Sequence, residues 1–133
     1  MDEPRVELQV ELPLSRERVF ELVSSSSGLG AWLDEAELEA RPGARVRLRL
    51  RDALVEGAVL ACAPPQHISF RRDYPEQPLP SATVVAFDAI AHGARTHLTL
   101  RHVGFGSVRE RDLHAALWRY WFDRFKVVAR RQA

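Results

Sequence analysis

"ARTHLTLRHVGFGSVRERDLHAALWRYW", residues 94–121, reads as a strand that runs into a capped helix. Leu98, Leu100 and His102 alternate onto one face, the period of a half-buried strand. Gly104-Phe105-Gly106 lacks the spacing of a dinucleotide fingerprint and reads as a flexible lead-in. Ser107 followed by Glu110 is a capping box. The helix it opens runs to about Arg130, with Lys126, Arg130 and Arg131 near its negative end. On a helical wheel Leu113, Leu117, Trp118, Trp121, Phe122, Phe125, Val128 and Ala129 share one broad side, with His114 near its middle.

Upstream, residues 82–91 form a second strand, and a His92-Gly93 turn suits a two-residue hairpin. That turn predicts Val85 opposite Leu100, Phe87 opposite Leu98 and Thr83 opposite His102. Further strands lie near 34–40, 44–51, 54–62 and 66–73, punctuated by Asp52-Ala53 and Pro64-Pro65. Tyr74–Ser81, "YPEQPLPS", reads as an irregular loop. At the N-terminus Val6, Leu8, Val10 and Leu12 alternate with polar residues, another half-buried strand. Ser15 caps a short helix carrying Val19, Phe20 and Val23; Ser24–Ser27 is loop-like, and Leu29–Leu33 is a second helical piece. The order β-α-α-β6-α predicts an α+β domain over 1–133, seven antiparallel strands curved around one long C-terminal helix.

"RPGARVRLRLR", residues 41–51, sets arginines at alternate positions, a pattern that could serve a polyanion. The preceding "DEAELEA" (34–40) alternates in the same way, so a turn at Arg41-Pro42-Gly43 sets Glu39 by Arg45, Glu37 by Arg47 and Glu35 by Arg49. An Asp52-Ala53 turn sets Glu56 by Arg49. Cross-strand charge pairs contribute roughly 0.2–1 kcal/mol each and fix register, since a one-residue slip would bury the charges. The stripe therefore marks the wet face of the sheet, and no nucleic-acid partner is expected. The net charge of +1 agrees with that.

One cysteine, Cys62, excludes an internal disulfide. No apolar run approaches a membrane span and no signal-peptide pattern opens the chain, so a cytoplasmic location is the expectation. Cys62 alternates with Leu60 onto the outer face beside Val84 and Ala86, where a contiguous apolar patch would suit a protein partner or a homodimer. The histidines lack the tight pairs of zinc motifs, and no phosphate loop or nucleophile elbow is present. No metal, cofactor or catalytic residue is assigned.

The inward faces nominate Trp32, Leu48, Phe70, Phe87, Leu100, Trp118 and Trp121 as the apolar lining of an interior site. Arg72, His102 and His114 are the polar groups that the same alternation turns inward. Buried polar groups need partners, which here are one another, Glu110, Thr83, or a ligand carboxylate or phenol.

The chain resembles the helix-grip, START-like (SRPBCC) superfamily, and within it the activator of heat-shock-protein-90 ATPase homologue-like domains. The resemblance is carried by "LPLSRERVFELV" (12–23), "GLGAWL" (28–33), "RPGARVRL" (41–48), "VEGAVLACAPPQHISF" (55–70), "TVVAFDAIAHGARTHLTLRHVGF" (83–105) and "ALWRYW" (116–121). Two positions depart from it. Leu117-Trp118 stands where a Gly-Trp is common, and Arg71-Arg72 where an aromatic is frequent. The resemblance implies a cavity between sheet and helix, here narrower and more polar than usual. It implies a small-molecule or lipid-like ligand or a protein partner, and the leading expectation is a non-catalytic module for a small apolar or amphipathic ligand. The alternatives are a chaperone-accessory module, and a cyclase- or hydratase-type enzyme using His102 or His114. Fold alone does not choose among them.

Overall fold

The computed structural model describes residues 3–76 and 82–133; residues 77–81 of the expected 74–81 loop lie outside them. Alternating apolar residues build β1 (Val6–Leu12), β2 (Glu35–Glu37), β3 (Arg45–Leu50), β4 (Ala53–Ala63), β5 (His67–Asp73), β6 (Thr83–His92) and β7 (Arg95–Val103). They form one antiparallel sheet in the order β1-β7-β6-β5-β4-β3-β2, curled around the long helix α3 (Val108–Arg131). Two short helices, α1 (Arg16–Ser24) and α2 (Ser26–Gly30), follow β1. The inner face is dry: Val46, Leu48, Val55, Val59, Ile68, Phe70, Val85, Phe87, Leu98 and Leu100 are all buried.

Helix caps follow the sequence with two adjustments. Ser107 Oγ accepts from the Glu110 backbone N–H at 3.1 Å, but the Glu110 carboxylate reaches Gly106 N–H, one residue before the cap. The serine run is helix punctuation rather than a loop. Ser24 ends α1, and Ser25 Oγ accepts from Gly28 N–H at 3.0 Å to cap α2, which therefore starts earlier than Leu29 and stops at Gly30.

Two hairpins are offset by two residues from their expected register. In β6–β7 the turn is Gly93-Ala94, with Gly93 at φ 62°, so Val85 faces His102 and Phe87 faces Leu100. In β3–β4 the turn is Arg51-Asp52, with Arg51 itself at φ 60°. Glu56 consequently lies opposite Arg47 and bonds Arg45 at 3.2 Å, not Arg49. An offset of two keeps every side chain on its face, which is why the core survives it.

β2 pairs as expected, with Glu35 opposite Arg49 and Glu37 opposite Arg47, but ends at Glu37; Glu39 bonds Arg41 instead of Arg45. A bulge in β4 between Val59 and Ala61 reverses the faces beyond it. Cys62 therefore pairs with inward-facing Ile68 and packs against the core, not on the outer face, and burial raises its thiol pKa. Leu60 does stay exposed.

On α3 the buried face is His114, Trp118, Trp121, Phe122, Phe125 and Ala129. Leu113 and Leu117 are 60% and 50% exposed, outside the stripe that the wheel assigned them to. Val128 is half-buried.

Candidate functional site

The inward alternation of β5 carries Ile68, Phe70 and Arg72, and Tyr74 continues it one step past the strand. Arg72 is 3% exposed, so its guanidinium lies inside the fold. Its Nη2 donates to the Tyr74 hydroxyl at 3.0 Å. His114 Nδ1 lies 2.8 Å from the Glu110 carbonyl one helical turn back, which fixes the proton on Nδ1 and leaves the lone pair on Nε2. Tyr74 then donates its hydroxyl proton to His114 Nε2 at 2.9 Å. The order of donation is Arg72 to Tyr74 to His114 to the helix backbone.

A second chain starts on α3. The Trp118 indole N–H donates to His102 Nδ1 at 2.8 Å. Because indole only donates, Nδ1 must be the unprotonated nitrogen, and His102 Nε2–H donates to Thr83 Oγ1 at 2.7 Å. Thr83 in turn donates to the Arg72 carbonyl at 3.4 Å. Both chains thus meet at Arg72, one at its guanidinium and one at its backbone.

These bonds fix the charge states. Burial, seconded by the nearby Arg72 cation, holds His102 far below the ordinary imidazole pKa, and both its nitrogens are occupied. Neither is free to exchange a proton with a substrate. Burial also lowers His114, against the pull of the Glu110 carbonyl and with the push of Arg72. For Arg72, burial lowers the pKa and the Tyr74 contact opposes it. No carboxylate among the described residues pairs with this guanidinium. The faces of Tyr74 and Trp118, with ring centroids 5.6 and 5.8 Å from its carbon, offset part of the desolvation. A buried ion without a counter-ion remains costly by several kcal/mol.

All ten nominated residues are buried. Trp32, Phe70, Phe87, Trp118, His102 and His114 form a continuous series of ring contacts, the tightest between His102 and His114 at 5.4 Å, and Trp32 also meets Phe125 at 5.2 Å. Arg72 joins that series at Trp118. Trp121 stands apart, in contact with Tyr120 and Arg124. Leu48 lies at the far end of the sheet, lining an open cleft of about 410 Å³ between β2 and β3. Sequence reasoning missed Tyr74, because the prolines after it suggested a loop. The signal was there in the every-second-residue series 68, 70, 72, 74. Phe105, its ring tilted against His102 at 4.5 Å and against His114 at 4.9 Å, was also missed.

The sequence that builds this long helix and seven-stranded sheet matches a known family profile. The profile of the activator of Hsp90 ATPase homolog 1-like proteins covers residues 13–130. The chain belongs to that family. No curated protein matches it in sequence. A protein of Mesorhizobium loti is similar in fold at 18% identity and a TM-score of 0.86, over 97% of this chain and 98% of that one. An Hsp90 activator of Plasmodium falciparum is similar at 17% identity and 0.76, over 93% and 94%. The Aha1 dimer of Colwellia psychrerythraea is similar at 14% identity and 0.79, over 95% and 96%. At such identities the likeness carries the fold alone. No helix among the described residues is long and apolar enough to cross a membrane.

Proposed function

We propose that this family member is a non-catalytic binding module that takes a small amphipathic ligand between the curved sheet and α3. The ligand's polar end, a carboxylate or a phenol, takes the place of the Tyr74 hydroxyl on the Arg72 guanidinium, and a phenol also donates to His114 Nε2 as Tyr74 does. Its apolar body lies against Phe70, Phe87 and Trp118. Arg72 is the observation that supports this reading: a buried guanidinium with five N–H donors and, among the described side chains, only a neutral phenol oxygen to meet them. A ligand oxyanion in the place of the Tyr74 hydroxyl would supply the missing counter-charge. The ligand enters by displacing Tyr74, which is only partly buried and lies one residue past the end of β5.

Thermal shift against a panel of fatty acids, aromatic carboxylates and flavonoids tests the proposal. A binder at about 100 times its Kd stabilises the fold by about 2.7 kcal/mol. Arg72→Met is expected to abolish the shift with carboxylates, at a higher intrinsic stability because no guanidinium is then buried away from a carboxylate of the described residues. A flat response across the panel would remove the ligand reading.

The accessory reading has one observation in its favour. Leu113, Leu117, Tyr120 and Val127 are all at least 40% exposed and follow one another at spacings of four, three and seven residues, along one flank of α3. An Hsp90-type ATPase is the partner this reading names. Stimulation of its ATP turnover by the chain, lost in Leu117→Glu, would support it; no stimulation by the unmodified chain would end it.

A further inference from the structure

We propose that the outer face of the sheet carries a site for a divalent transition-metal ion of the zinc, copper or nickel type, formed by Glu11, His92 and His97. The three come from three strands, which is why no spacing in the sequence announces them. Glu11 on β1 and His97 on β7 are direct cross-strand partners. His97 also pairs with Ile90 of β6, and His92 lies two residues further along that strand, on the same face. His92 Nδ1 is 2.8 Å from Glu11 Oε1, the two imidazole rings are 5.8 Å apart, and one donor atom from each residue lies within 4.8 Å of the others. In a tetrahedral zinc site such atoms sit about 3.3 Å apart, given bonds of about 2.0–2.1 Å. Rotation of the exposed Glu11 and His92 side chains toward half-buried His97 closes that difference, while the strands hold the backbone fixed.

The donor set is two imidazoles and a carboxylate, which suits zinc, copper and nickel better than magnesium or calcium. The Glu11 carboxylate already faces both His92 and Arg95, so its oxygens are turned toward the place that the ion would take. Gln9 Oε1, 3.0 Å from His97 Nε2, steadies that ring, the outer-shell role that amides and carboxylates take around metal ligands. Arg95 opposes the ion, with its Nε 3.5 Å from Glu11 Oε2, but its half-exposed side chain can swing into solvent. Three protein ligands leave a coordination position for water. The ion would also tie the edge strand β1 to the β6–β7 hairpin.

Calorimetric titration of the untagged full chain with zinc chloride at neutral pH tests this site. One ion per chain is expected, with a cobalt-substituted form whose visible absorption reports nitrogen and oxygen ligands. His92→Gln and His97→Gln should each weaken binding by at least about 10-fold, the loss that even an outer-shell change commonly causes. His67→Gln, at the separate His67–Asp88 pair, should leave it unchanged. Failure to saturate at one ion, wild-type affinity in either site variant, or an equal loss in His67→Gln would each overturn the proposal.

Discussion

Gly57→Ala is expected to destabilise the chain by more than about 3 kcal/mol, the upper end of what overpacking usually costs. Gly57 sits inside β4, on the face that turns toward α3, opposite Val46 on one side and Arg72 on the other. A Cβ there would stand 1.6 Å from the Arg71 carbonyl oxygen and 3.1 Å from the Arg72 Cα. Both are backbone atoms held in the β4–β5 ladder, so no rotamer change relieves the clash. Glycine inside a strand marks the place where another backbone approaches closely or the sheet bends sharply. Here that approach sets the start of Arg72, so the same substitution should disorder the site along with the fold. Gly30 is the control, because a methyl group added there would meet nothing within 4 Å; Gly30→Ala should change stability by less than about 1 kcal/mol. Denaturant unfolding of both variants decides the matter. Near-wild-type stability for Gly57→Ala would mean that β4 and β5 part easily and that the glycine is incidental.

The element order and the dry face were legible because apolar alternation and the Ser107 cap are local signals, readable without knowing any partner. What stayed hidden depends on where chains turn. Arg51 adopts φ 60°, a conformation that sequence rules give to glycine or asparagine, so the β3–β4 turn was placed one residue late. The bulge at Leu60 has no residue signature at all, and it alone reversed Cys62. Along α3 apolar residues occupy more than the buried arc, and periodicity could not tell that Leu113 and Leu117 belong to the wet flank. For the site, Arg72, His102 and His114 were readable as inward polar residues, and Thr83 was anticipated as a partner. Glu110 does serve His114, though through its backbone carbonyl. The proton order could not be read, because it follows from Trp118 being a pure donor aimed at one particular nitrogen. The acid–base ladder also held where the turn permitted it, with Glu35 by Arg49 at 3.7 Å; Arg101 between Glu7 and Asp88, at 2.8 and 3.4 Å, is a pairing that the sequence reading did not name.

Acid should weaken this fold before its carboxylates titrate, and His102 is the main reason. In the unfolded chain an imidazole takes up a proton near its ordinary pKa of 6.5; in the fold burial depresses that value. The neutral ring therefore contributes stability that is present above the unfolded pKa and is lost as pH falls below it. A single such group costs about 2 kcal/mol between about pH 7 and about pH 5. His114, lowered in the same direction by burial, adds to the slope. Glu7 and Glu11, held low by Arg101 and His92, keep their contribution until the pH nears the carboxylate range, so the histidine window stands apart. Protonating His102 would set an N–H at Nδ1 against the indole N–H of Trp118, breaking the bond between α3 and β7 that the neutral ring makes. His102→Gln isolates this effect, because an amide oxygen can accept from Trp118 and its NH₂ can donate to Thr83. Its stability at neutral pH should fall through lost ring packing, while its loss between about pH 7 and about pH 5 should shrink by about 2 kcal/mol. An unchanged pH slope in His102→Gln would show that the proton is taken up elsewhere, and would remove His102 from the acid response.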